Sequence, residues 1–305
     1  MTGSPPARPT GQALGMSAPL PPPRTAVVDA VTRALAEDLE PLGDVTSSLL
    51  PADLVTTARF VVRADGVVAG CACVTETYAQ LDPAVSISWS VTDGDVVVAG
   101  TELASITGPL PSLLTGERTA LNLLGHLSGI ATTTAAFVAA ARTGGDAQVW
   151  DTRKTTPGLR ALEKAAVRAG GGRNHRGNLS DWILLKDNHI ALYGIADAVA
   201  RARAMWPAKT VHVECDTIAQ VREALDAGAD ALLLDNMSPA QVRECVAIAA
   251  ASTTRPLLEA SGGITLDTIA DYSAAGVDCI SVGGLTNSSP VLDIGLDIET
   301  GIGSD

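Results

Sequence analysis

The stretch VHVECDTIAQVREALDAGADALLLDN, residues 211–236, decides the fold class of this 305-residue chain. It begins with a short apolar run that ends at Glu214, continues through a helix-like segment, and closes with a second apolar run that ends at Asp235. The order strand, helix, strand predicts parallel strands joined by a right-handed crossover. The stretch therefore predicts an α/β fold with a carboxylate at the end of each strand.

The same unit recurs on both sides of this stretch. Apolar runs that end in polar or glycine-rich clusters appear as VWDTRK (149–154), WILLKDN (182–188), PLLEASGG (256–263) and CISVGG (279–284). The cluster residues Lys186, Glu214, Asp235, Glu259 and Val282 are 28, 21, 24 and 23 residues apart, which fits one strand, one helix and two loops. This regular count favours a closed barrel over an open sheet, with an active site at the carboxyl ends of the strands.

The N-terminal half has a different pattern. Helical periodicity covers residues 25–39 and 115–142, and two β-rich tracts cover residues 58–74 and 85–108. Cys71 and Cys73 alternate within an apolar run, so we expect them in a strand core.

These patterns divide the chain into segments. We expect an N-terminal α/β domain over residues 25–130 and a barrel domain over residues 131–288, with residues 289–305 packing back on the first domain. Residues 1–24 contain 7 of the 17 prolines and lack the apolar core of a signal peptide. They predict a disordered tail.

Charge and cysteine content exclude several classes of function. The chain has 21 Lys and Arg against 34 Asp and Glu, a net charge of −13 that argues against nucleic acid and anionic membrane surfaces. No apolar run approaches the roughly 20 residues that span a bilayer.

The cysteines form no C-x-x-C pair, which indicates free thiols in a reducing, cytoplasmic environment. They are Cys71, Cys73, Cys215, Cys245 and Cys279.

Positive charge is concentrated in one segment. Residues 151–190 contain eight Lys and Arg against four Asp and Glu, a local balance of +4. Such a cluster suits a small ligand with more than one carboxylate or phosphate. Arg160, Lys164 and Arg168 lie at i, i+4 and i+8, so we expect these three on a solvated helix face and outside the site.

Glycine pairs follow the two last strands, at Gly262-Gly263 and Gly283-Gly284. The first pair precedes a predicted helix for which Thr265 is the candidate N-cap. Backbone N–H groups at such positions bind phosphate, and the loops after the last strands of a barrel are a recurrent phosphate site. The pattern predicts a sugar phosphate as part of the ligand.

Glu214 and Asp235 end neighbouring strands and should face the same opening. Paired acids beside cations suit sugar hydroxyls or Mg²⁺, and a buried ion pair with Lys154 or Lys186 is the alternative. No two of the four histidines have the spacing of a zinc site, and we interpret His212 as a packing residue.

Several longer motifs resemble the quinolinate phosphoribosyltransferase family. They are GERTALNLLGHLSGIAT (116–132), DTRKTTPGLR (151–160), GGGRNHRGNLSDWILLKDNHI (170–190), LEASGGI (258–264) and GVDCISVGGLTNS (276–288). The resemblance covers residues 27–298. It implies an N-terminal α/β sandwich domain followed by an incomplete (β/α) barrel with parallel strands. It also implies Mg²⁺ and at least a homodimer, and the joining of quinolinate to phosphoribosyl pyrophosphate with loss of pyrophosphate and CO₂.

The resemblance also implies roles for single residues. The quinolinate carboxylates would be held by Thr152, Arg153, Lys154, His175, Arg176 and Lys186. Glu214 and Asp235 would meet the ribose hydroxyls and the metal and, with Lys154, form the catalytic set. Arg118 would reach the site of the neighbouring subunit. The 5′-phosphate would lie on Ser261, Gly262, Gly263, Val282, Gly283 and Gly284.

The sequence departs from the family pattern at a few positions. Asn287 stands where a histidine is usual, Gly284 replaces a common alanine, and Gly125 a common glutamine. Three alternatives stay open: a paralogue from molybdate-uptake gene clusters, a Schiff-base aldolase that uses Lys186, and an inactive binding protein.

Overall fold

The computed structural model describes residues 19–298. Residues 1–18 of the predicted tail and residues 299–305 lie outside this range. The helices are α1 (Arg24–Leu39), α2 (Cys71–Leu81), α3 (Leu110–Gly144), α4 (Arg160–Ala169), α5 (Asp187–Tyr193), α6 (Ile195–Met205), α7 (Ile218–Asp226), α8 (Pro239–Ala250), α9 (Ile269–Ala274) and α10 (Gly284–Asn287). The strands are β1 (Val55–Val62), β2 (Gly66–Val67), β3 (Ser86–Trp89), β4 (Val96–Val97), β5 (Glu102–Pro109), β6 (Gln148–Trp150), β7 (Ile183–Leu185), β8 (Val211–Cys215), β9 (Ala231–Asp235), β10 (Leu257–Ser261), β11 (Cys279–Ser281) and β12 (Ile294–Ile298).

The second half of the chain forms an incomplete barrel. Its six strands are all parallel and lie in the order β6-β11-β10-β9-β8-β7. The closed barrel that the strand spacing favoured is wrong: within residues 19–298, β6 and β7 do not pair with each other. Instead Arg173 forms a bridge beside Trp150 at the edge of β6, where its N–H donates to the Val149 carbonyl at 2.8 Å. The gap leaves the carboxyl ends of the strands open on one side.

The N-terminal domain is built on an antiparallel sheet in the order β12-β1-β5-β3, with β2 and β4 forming a separate pair. Strand β12 comes from the end of the described chain and pairs with β1, so the chain returns to its first sheet after the barrel. The buried core of this domain includes Phe60, Tyr78, Leu103 and Ile106.

The expectation that Cys71 and Cys73 lie in a strand is wrong, because both begin helix α2. Gly70 adopts a φ of +105°, a left-handed conformation that ends the extended segment. Asp93 then accepts hydrogen bonds from the N–H groups of Gly70 and Cys71 at 3.0 and 3.1 Å. A carboxylate from a distant turn therefore starts the helix, and periodicity along the segment does not reveal it. All five cysteines are free thiols, and burial raises the pKa of Cys73 to about 12.

Helix α3 joins the two halves of the molecule. It has 35 residues and a mean hydropathy of 1.4 in its most apolar window, which is long and apolar enough to cross a membrane by length and composition alone. More than half of that window, 56%, is buried inside the protein. The helix packs against α2 on one side and α4 and α9 on the other. We therefore describe α3 as the core helix of the fold.

Helix α4 does not present a solvated face, so the expectation that Arg160, Lys164 and Arg168 lie on such a face is wrong. We term these three residues the helix cations. The Lys164 side chain is buried against the carboxylate of Asp151 at 2.5 Å. Arg160 donates to the Gly177 carbonyl at 3.1 Å, and Arg168 donates to the Leu20 carbonyl at 2.8 Å. Periodicity along α4 identifies a face of the helix, but it does not show that another element covers that face.

The predicted N-cap at Thr265 is also wrong. Helix α9 begins at Ile269, four residues later. Between these positions the Thr265 carbonyl accepts from the N–H of Thr268, and the Thr268 hydroxyl accepts from the N–H of Thr265 at 3.0 Å. A separate turn therefore lies between the glycine pair and the helix.

Candidate active site

The carboxyl ends of the barrel strands surround a cavity of about 710 Å³. With one exception, every residue to which the sequence analysis assigned a site role lines this cavity: Thr152, Arg153, Lys154, His175, Arg176, Lys186, Glu214, Asp235, Ser261, Gly262, Gly263, Val282, Gly283 and Gly284. Arg118 is the exception. It is exposed on α3 and does not line this cavity.

Three cations in the cavity lack partners, and we term Arg153, Lys154 and Arg176 the pocket cations. Within residues 19–298, none of their side chains makes a hydrogen bond or an ion pair, and the Nε of Arg153 is both buried and unpartnered. Arg176 is only 9% exposed, and burial, reinforced by repulsion from Arg153, lowers its pKa. Unpaired guanidinium groups in a cavity fit the carboxylates or phosphates of a ligand.

Lys186 and Glu214 form an ion pair at the ends of β7 and β8. This pairing is the alternative that the sequence analysis left open, but the pair lies in the cavity and remains accessible from it. Asp235, at the end of β9, has a raised pKa because it is partly buried and because Asp216 repels its charge. Lys186 and Lys154 partly offset this rise.

A buried network behind the cavity positions two of the site residues. The carboxylate of Asp151 is fully buried and accepts from the N–H of His175 at 2.8 Å and from the Nδ2 of Asn174 at 2.7 Å. Lys164 of α4 donates to the same carboxylate and to the His175 carbonyl at 3.0 Å. The network thus fixes the backbone immediately before Arg176. The sequence analysis missed these roles, although Asp151 directly follows a strand like the other strand-end residues.

The two glycine loops meet the cations at one end of the cavity. Gly262 has a φ of +94°, and a Cβ atom there would lie 2.3 Å from the Oδ1 of Asn236, so no other residue fits. A Cβ atom at Gly283 would lie 2.8 Å from the Cδ of Lys154, which places the lysine stem against this loop. The hydroxyl of Thr286 donates to the Lys154 carbonyl at 2.8 Å. Backbone N–H groups and an ammonium group are therefore available to one phosphate.

The floor of the cavity contains a carboxylate that the sequence analysis did not assign. Glu259 of β10 is fully buried, and its Oε2 lies 3.3 Å from the Nε2 of His175 and 3.6 Å from the Nε2 of His212. Burial alone would raise the pKa of Glu259, but the two imidazoles outweigh it and hold that pKa below its usual value. Burial lowers the pKa of His212 to about 4. His212 is a buried residue, as interpreted from the sequence, yet it faces a carboxylate.

The walls between the polar groups are apolar. Leu184, Leu233 and Ile264 line the cavity and are each less than a tenth exposed. A planar aromatic ring with charged substituents fits such a surface, because its faces contact hydrocarbon while its carboxylates reach the cations.

Comparisons with known proteins place both domains of the chain in one family. The chain matches the family descriptions "Quinolinate phosphoribosyl transferase, N-terminal domain" over residues 44–128 and "Quinolinate phosphoribosyl transferase, C-terminal domain" over residues 130–297. It is 43% identical over 277 residues to the nicotinate-nucleotide pyrophosphorylase [carboxylating] of Mycobacterium leprae, which covers 88% of this chain and 96% of that protein. The probable enzyme of the same name from Bacillus subtilis is 44% identical over 260 residues, 84% of this chain and 88% of that protein.

Solved structures give the same result. The nicotinate-nucleotide pyrophosphorylase from Francisella tularensis superposes with a TM-score of 0.87 at 37% identity, covering 91% of this chain and 97% of that one. NadC from Streptococcus pyogenes superposes with a TM-score of 0.85 at 39% identity, covering 91% of this chain and 99% of that one.

Proposed function

The chain belongs to the quinolinate phosphoribosyltransferase family, and from this premise we propose how its cavity carries out the family's reaction. The enzyme is a pentosyltransferase of NAD biosynthesis that joins quinolinate to phosphoribosyl pyrophosphate and gives nicotinate mononucleotide, pyrophosphate and CO₂. The observation that carries the assignment of this reaction to the cavity is the convergence of unpaired cations and two glycine loops in one space of about 710 Å³. A dianionic acid and a phosphosugar require these two kinds of surface.

Quinolinate binds through its charges and its ring. The pocket cations, His175 and Lys186 surround the two carboxylates, with Thr152 at the edge, and the ring lies against Leu184 and Leu233. Nicotinate lacks one carboxylate, so its binding leaves part of the cation set unpaired in a partly buried cavity. That unpaired charge is the source of discrimination against nicotinate.

The phosphosugar binds beside quinolinate, on the glycine loops. Its 5′-phosphate lies on the backbone of residues 261–263 and 282–284, close to the Lys154 ammonium group. Glu214 and Asp235 accept hydrogen bonds from the ribose hydroxyls. This arrangement brings the anomeric carbon beside the ring nitrogen, which lowers the entropic cost of bringing the two together.

The reaction then needs no covalent nucleophile from the protein. The ring nitrogen forms a bond to the anomeric carbon as the bond to pyrophosphate breaks, and Glu214 and Asp235 stabilise the positive charge that develops on the ribose. The alkylated nitrogen is cationic and accepts the electron pair that remains when the adjacent carboxylate leaves as CO₂. That ring carbon finally takes up a proton. Lys186 pairs with the carboxylate of Glu214, whereas the nucleophilic lysine of a Schiff-base aldolase is activated by an apolar pocket or by a neighbouring cation.

We propose Mg²⁺ as the metal of this reaction. Mg²⁺ prefers oxygen ligands and is usually held by one or two carboxylates together with substrate phosphates. Asp235 and Glu214 supply carboxylate oxygens in the cavity, and the Oδ2 of Asp235 accepts from the Nδ2 of Asn236 at 2.6 Å, which orients the group. These residues fit the ion. When bound with the pyrophosphate group, it neutralises the charge of the departing phosphates.

The position of Arg118 supports a homodimer, and the five free cysteines support a location in the reducing cytoplasm. Arg118 is exposed on α3, outside the cavity of its own subunit, and one turn away Thr115 donates to the Oδ2 of Asp44 at 3.0 Å. Asp44 lies in a loop with exposed apolar side chains, including Leu42 at 82% and Leu49 at 83% exposure. An apolar loop beside an exposed arginine fits a second copy of the chain, into whose cavity Arg118 reaches.

A coupled assay tests the function. The enzyme is incubated with quinolinate, phosphoribosyl pyrophosphate and Mg²⁺, while CO₂ and nicotinate mononucleotide are followed together. We expect equal amounts of both products and no turnover when nicotinate replaces quinolinate. Turnover of nicotinate without turnover of quinolinate would contradict the assignment.

Mixed dimers test the shared site. Arg118→Ala and Lys154→Ala are expected to be inactive as homodimers. A heterodimer of one subunit of each, purified through two different tags, has one intact site and one site without either residue, so we expect roughly half of the wild-type activity per dimer. A heterodimer as inactive as both parents would show that Arg118 does not act across the interface.

A further inference from the structure

Three side chains of metal-binding type meet at the floor of the cavity, and the proposed reaction uses only one of them, His175, to hold substrate. They are His175, His212 and Glu259, and one ligand atom from each lies within 4.8 Å of the other two. Glu259 is central, since its Oε2 is 3.3 and 3.6 Å from the two imidazole nitrogens. The group is separate from Glu214 and Asp235, for which we propose Mg²⁺.

Within residues 19–298, these atoms are buried and none makes a hydrogen bond of good geometry, although the side chain of Ser281 lies near the Glu259 carboxylate. The exposed fractions of His175, His212 and Glu259 are 7%, 2% and 0%. The Nε2 of each histidine and both carboxylate oxygens of Glu259 are buried without a partner of acceptable hydrogen-bond geometry. Buried polar atoms are nearly always paired, and leaving one unpaired destabilises the folded protein. A cation bound among the two imidazole nitrogens and the Glu259 carboxylate would satisfy these three groups together.

The outer surroundings of His212 resemble those of a metal ligand. The backbone of Leu232 on the neighbouring strand β9 lies close enough to the imidazole of His212 to favour a proton on that ring. The Nε2 faces Glu259, so a proton on Nδ1 leaves the Nε2 lone pair directed at the carboxylate. Histidines that bind metals almost always donate their other ring proton to a carbonyl or carboxylate in this manner.

We propose that His175, His212 and Glu259 bind a divalent transition metal of borderline softness, such as Zn²⁺. Two imidazoles and one carboxylate are a common ligand set for Zn²⁺, Co²⁺, Ni²⁺ and Fe²⁺, whereas Mg²⁺ and Ca²⁺ prefer oxygen ligands alone. His175 and Glu259 both line the cavity, so the ion enters from the substrate side and keeps an open position towards it.

The geometry requires only a small adjustment. Ligand atoms around a tetrahedral zinc ion lie roughly 3.4 Å apart, so the two distances from Glu259 to the imidazoles already suit the ion. The third separation, between the two imidazoles' ligand atoms, is no more than 4.8 Å and has to shorten by little more than about 1 Å. Rotation of the imidazoles about their side-chain bonds provides this movement. Arg176 lies close enough to His212 to repel a cation there, which reduces the affinity without removing it.

The bound ion would determine how His175 meets the substrate, a consequence that rests on the proposed function. With its Nε2 on the metal, the imidazole carries its only proton on Nδ1. That N–H is then available to a quinolinate carboxylate in the cavity. The metal thus fixes the tautomer and the orientation of one residue of the carboxylate-binding set.

Co²⁺ binding to the metal-stripped enzyme tests the proposal directly. Substrate is omitted, because quinolinate itself chelates metals through its ring nitrogen and the adjacent carboxylate. We expect one Co²⁺ per chain with the intense visible absorption of four- or five-coordinate cobalt, and its loss when Zn²⁺ is added. Only the weak absorption of octahedral cobalt, as on surface carboxylates, would overturn the proposal.

Single variants assign the site. Loss of an outer-shell partner typically weakens a metal site by 10–100-fold, so His212→Gln, which removes a direct ligand, is expected to weaken Co²⁺ binding by at least about 100-fold. His189→Gln is the matched control, because His189 is exposed and does not line the cavity. This variant should leave Co²⁺ binding unchanged. Arg176→Ala should tighten binding. Equal loss in both histidine variants would contradict the assignment.

Crystals soaked in Zn²⁺ provide a readout that needs no variant. An anomalous scattering peak among His175, His212 and Glu259 is the expected result, and peaks confined to the surface or to Asp235 would overturn the proposal. None of these measurements uses turnover. Failure of the metal site therefore leaves the quinolinate assay unaffected, and an inactive enzyme that binds Co²⁺ would contradict only the proposed function.

Discussion

The pocket cations and the helix cations belong to the same 40-residue segment, but the fold uses them in opposite ways. Within residues 19–298, the pocket cations make no side-chain hydrogen bond or ion pair, and all three face one cavity. The helix cations each donate to specific acceptors: Arg160 to Gly177, Lys164 to Asp151 and Arg168 to Asn174. One group holds the molecule together, and the other retains its capacity to bind a ligand.

The difference teaches that net charge alone does not describe a binding site. Residues 151–190 have a balance of +4, from eight basic and four acidic residues. Part of that charge is paired inside the protein, in the network around Asp151. The cations available to substrate are those whose donors are unpaired, and which cations these are depends on the residues packed around them in the fold. The predictions below change one group at a time and ask whether activity or stability responds.

The largest effect is expected from Arg176→Ala. The change removes an unpaired, mostly buried guanidinium group that we assign to a quinolinate carboxylate. We expect kcat/KM for quinolinate to fall about 1000-fold, which is roughly 4 kcal/mol. The melting temperature should stay the same or rise, because a buried charge without a partner is removed. Steady-state kinetics and thermal denaturation measure the two quantities.

Arg173→Ala is the matched control for this prediction. Arg173 lies three residues earlier in the same loop, is exposed, and donates to the side chain of Gln148 at 2.9 Å. It should retain activity within a few-fold of the wild type. If both variants lose activity equally, the loop as a whole is disturbed and the distinction between the two groups of cations does not hold.

The second effect is on stability and concerns Lys164→Met. The variant leaves the fully buried carboxylate of Asp151 without its cation, and breaking such a pair typically costs 3–5 kcal/mol; we expect about 3 kcal/mol by chemical denaturation. The kcat of the molecules that remain folded should change less than that of Arg176→Ala. The control is Lys209→Met, since the Lys209 ammonium also donates to carbonyl groups but near the surface.

A double variant separates charge from packing at this position. Asp151→Asn combined with Lys164→Met removes both charges, so it should be more stable than Lys164→Met alone. Asn can still accept from the N–H of His175. A double variant less stable than the single one would show that the network acts through its hydrogen bonds and not through its charges.

The contrast also explains what the sequence could predict. The strand-end residues were found because parallel strands bring their carboxyl ends to one edge, so chain order alone places Glu214 and Asp235 together. Lys164 was misassigned, because a spacing of four residues identifies a helix face without showing what covers it. Glu259 ends a strand like the others, but its role depends on two imidazoles from separate strands and loops. Such contacts follow from packing and leave no local pattern.

A smaller effect is expected at Asn287, where the family usually has histidine. Asn287 lines the phosphate end of the cavity, and its Oδ1 accepts from the hydroxyl of Ser288 at 2.7 Å. In Asn287→His an imidazole N–H can reach the phosphate, so we expect the KM for phosphoribosyl pyrophosphate to fall several-fold, by about 1 kcal/mol. The KM for quinolinate and the melting temperature should not change. An unchanged KM for the phosphosugar would remove Asn287 from its binding surface.

The smallest effect concerns the acid side of the pH profile. Asp235 must be ionised to act, and its raised pKa means that activity falls as pH decreases through a range above that of an ordinary aspartate. Asp216→Asn removes the neighbouring charge that contributes to this rise, so the ionised form of Asp235 becomes easier to form. The acid limb of kcat/KM should therefore move to lower pH. Asp226→Asn, the same change of charge at the far end of α7, should leave the limb in place. An equal shift in both variants would mean that the net charge of the molecule, and not the local field in the cavity, sets the ionisation of Asp235. A shift to higher pH in Asp216→Asn would show that Asp216 does not raise the pKa of Asp235.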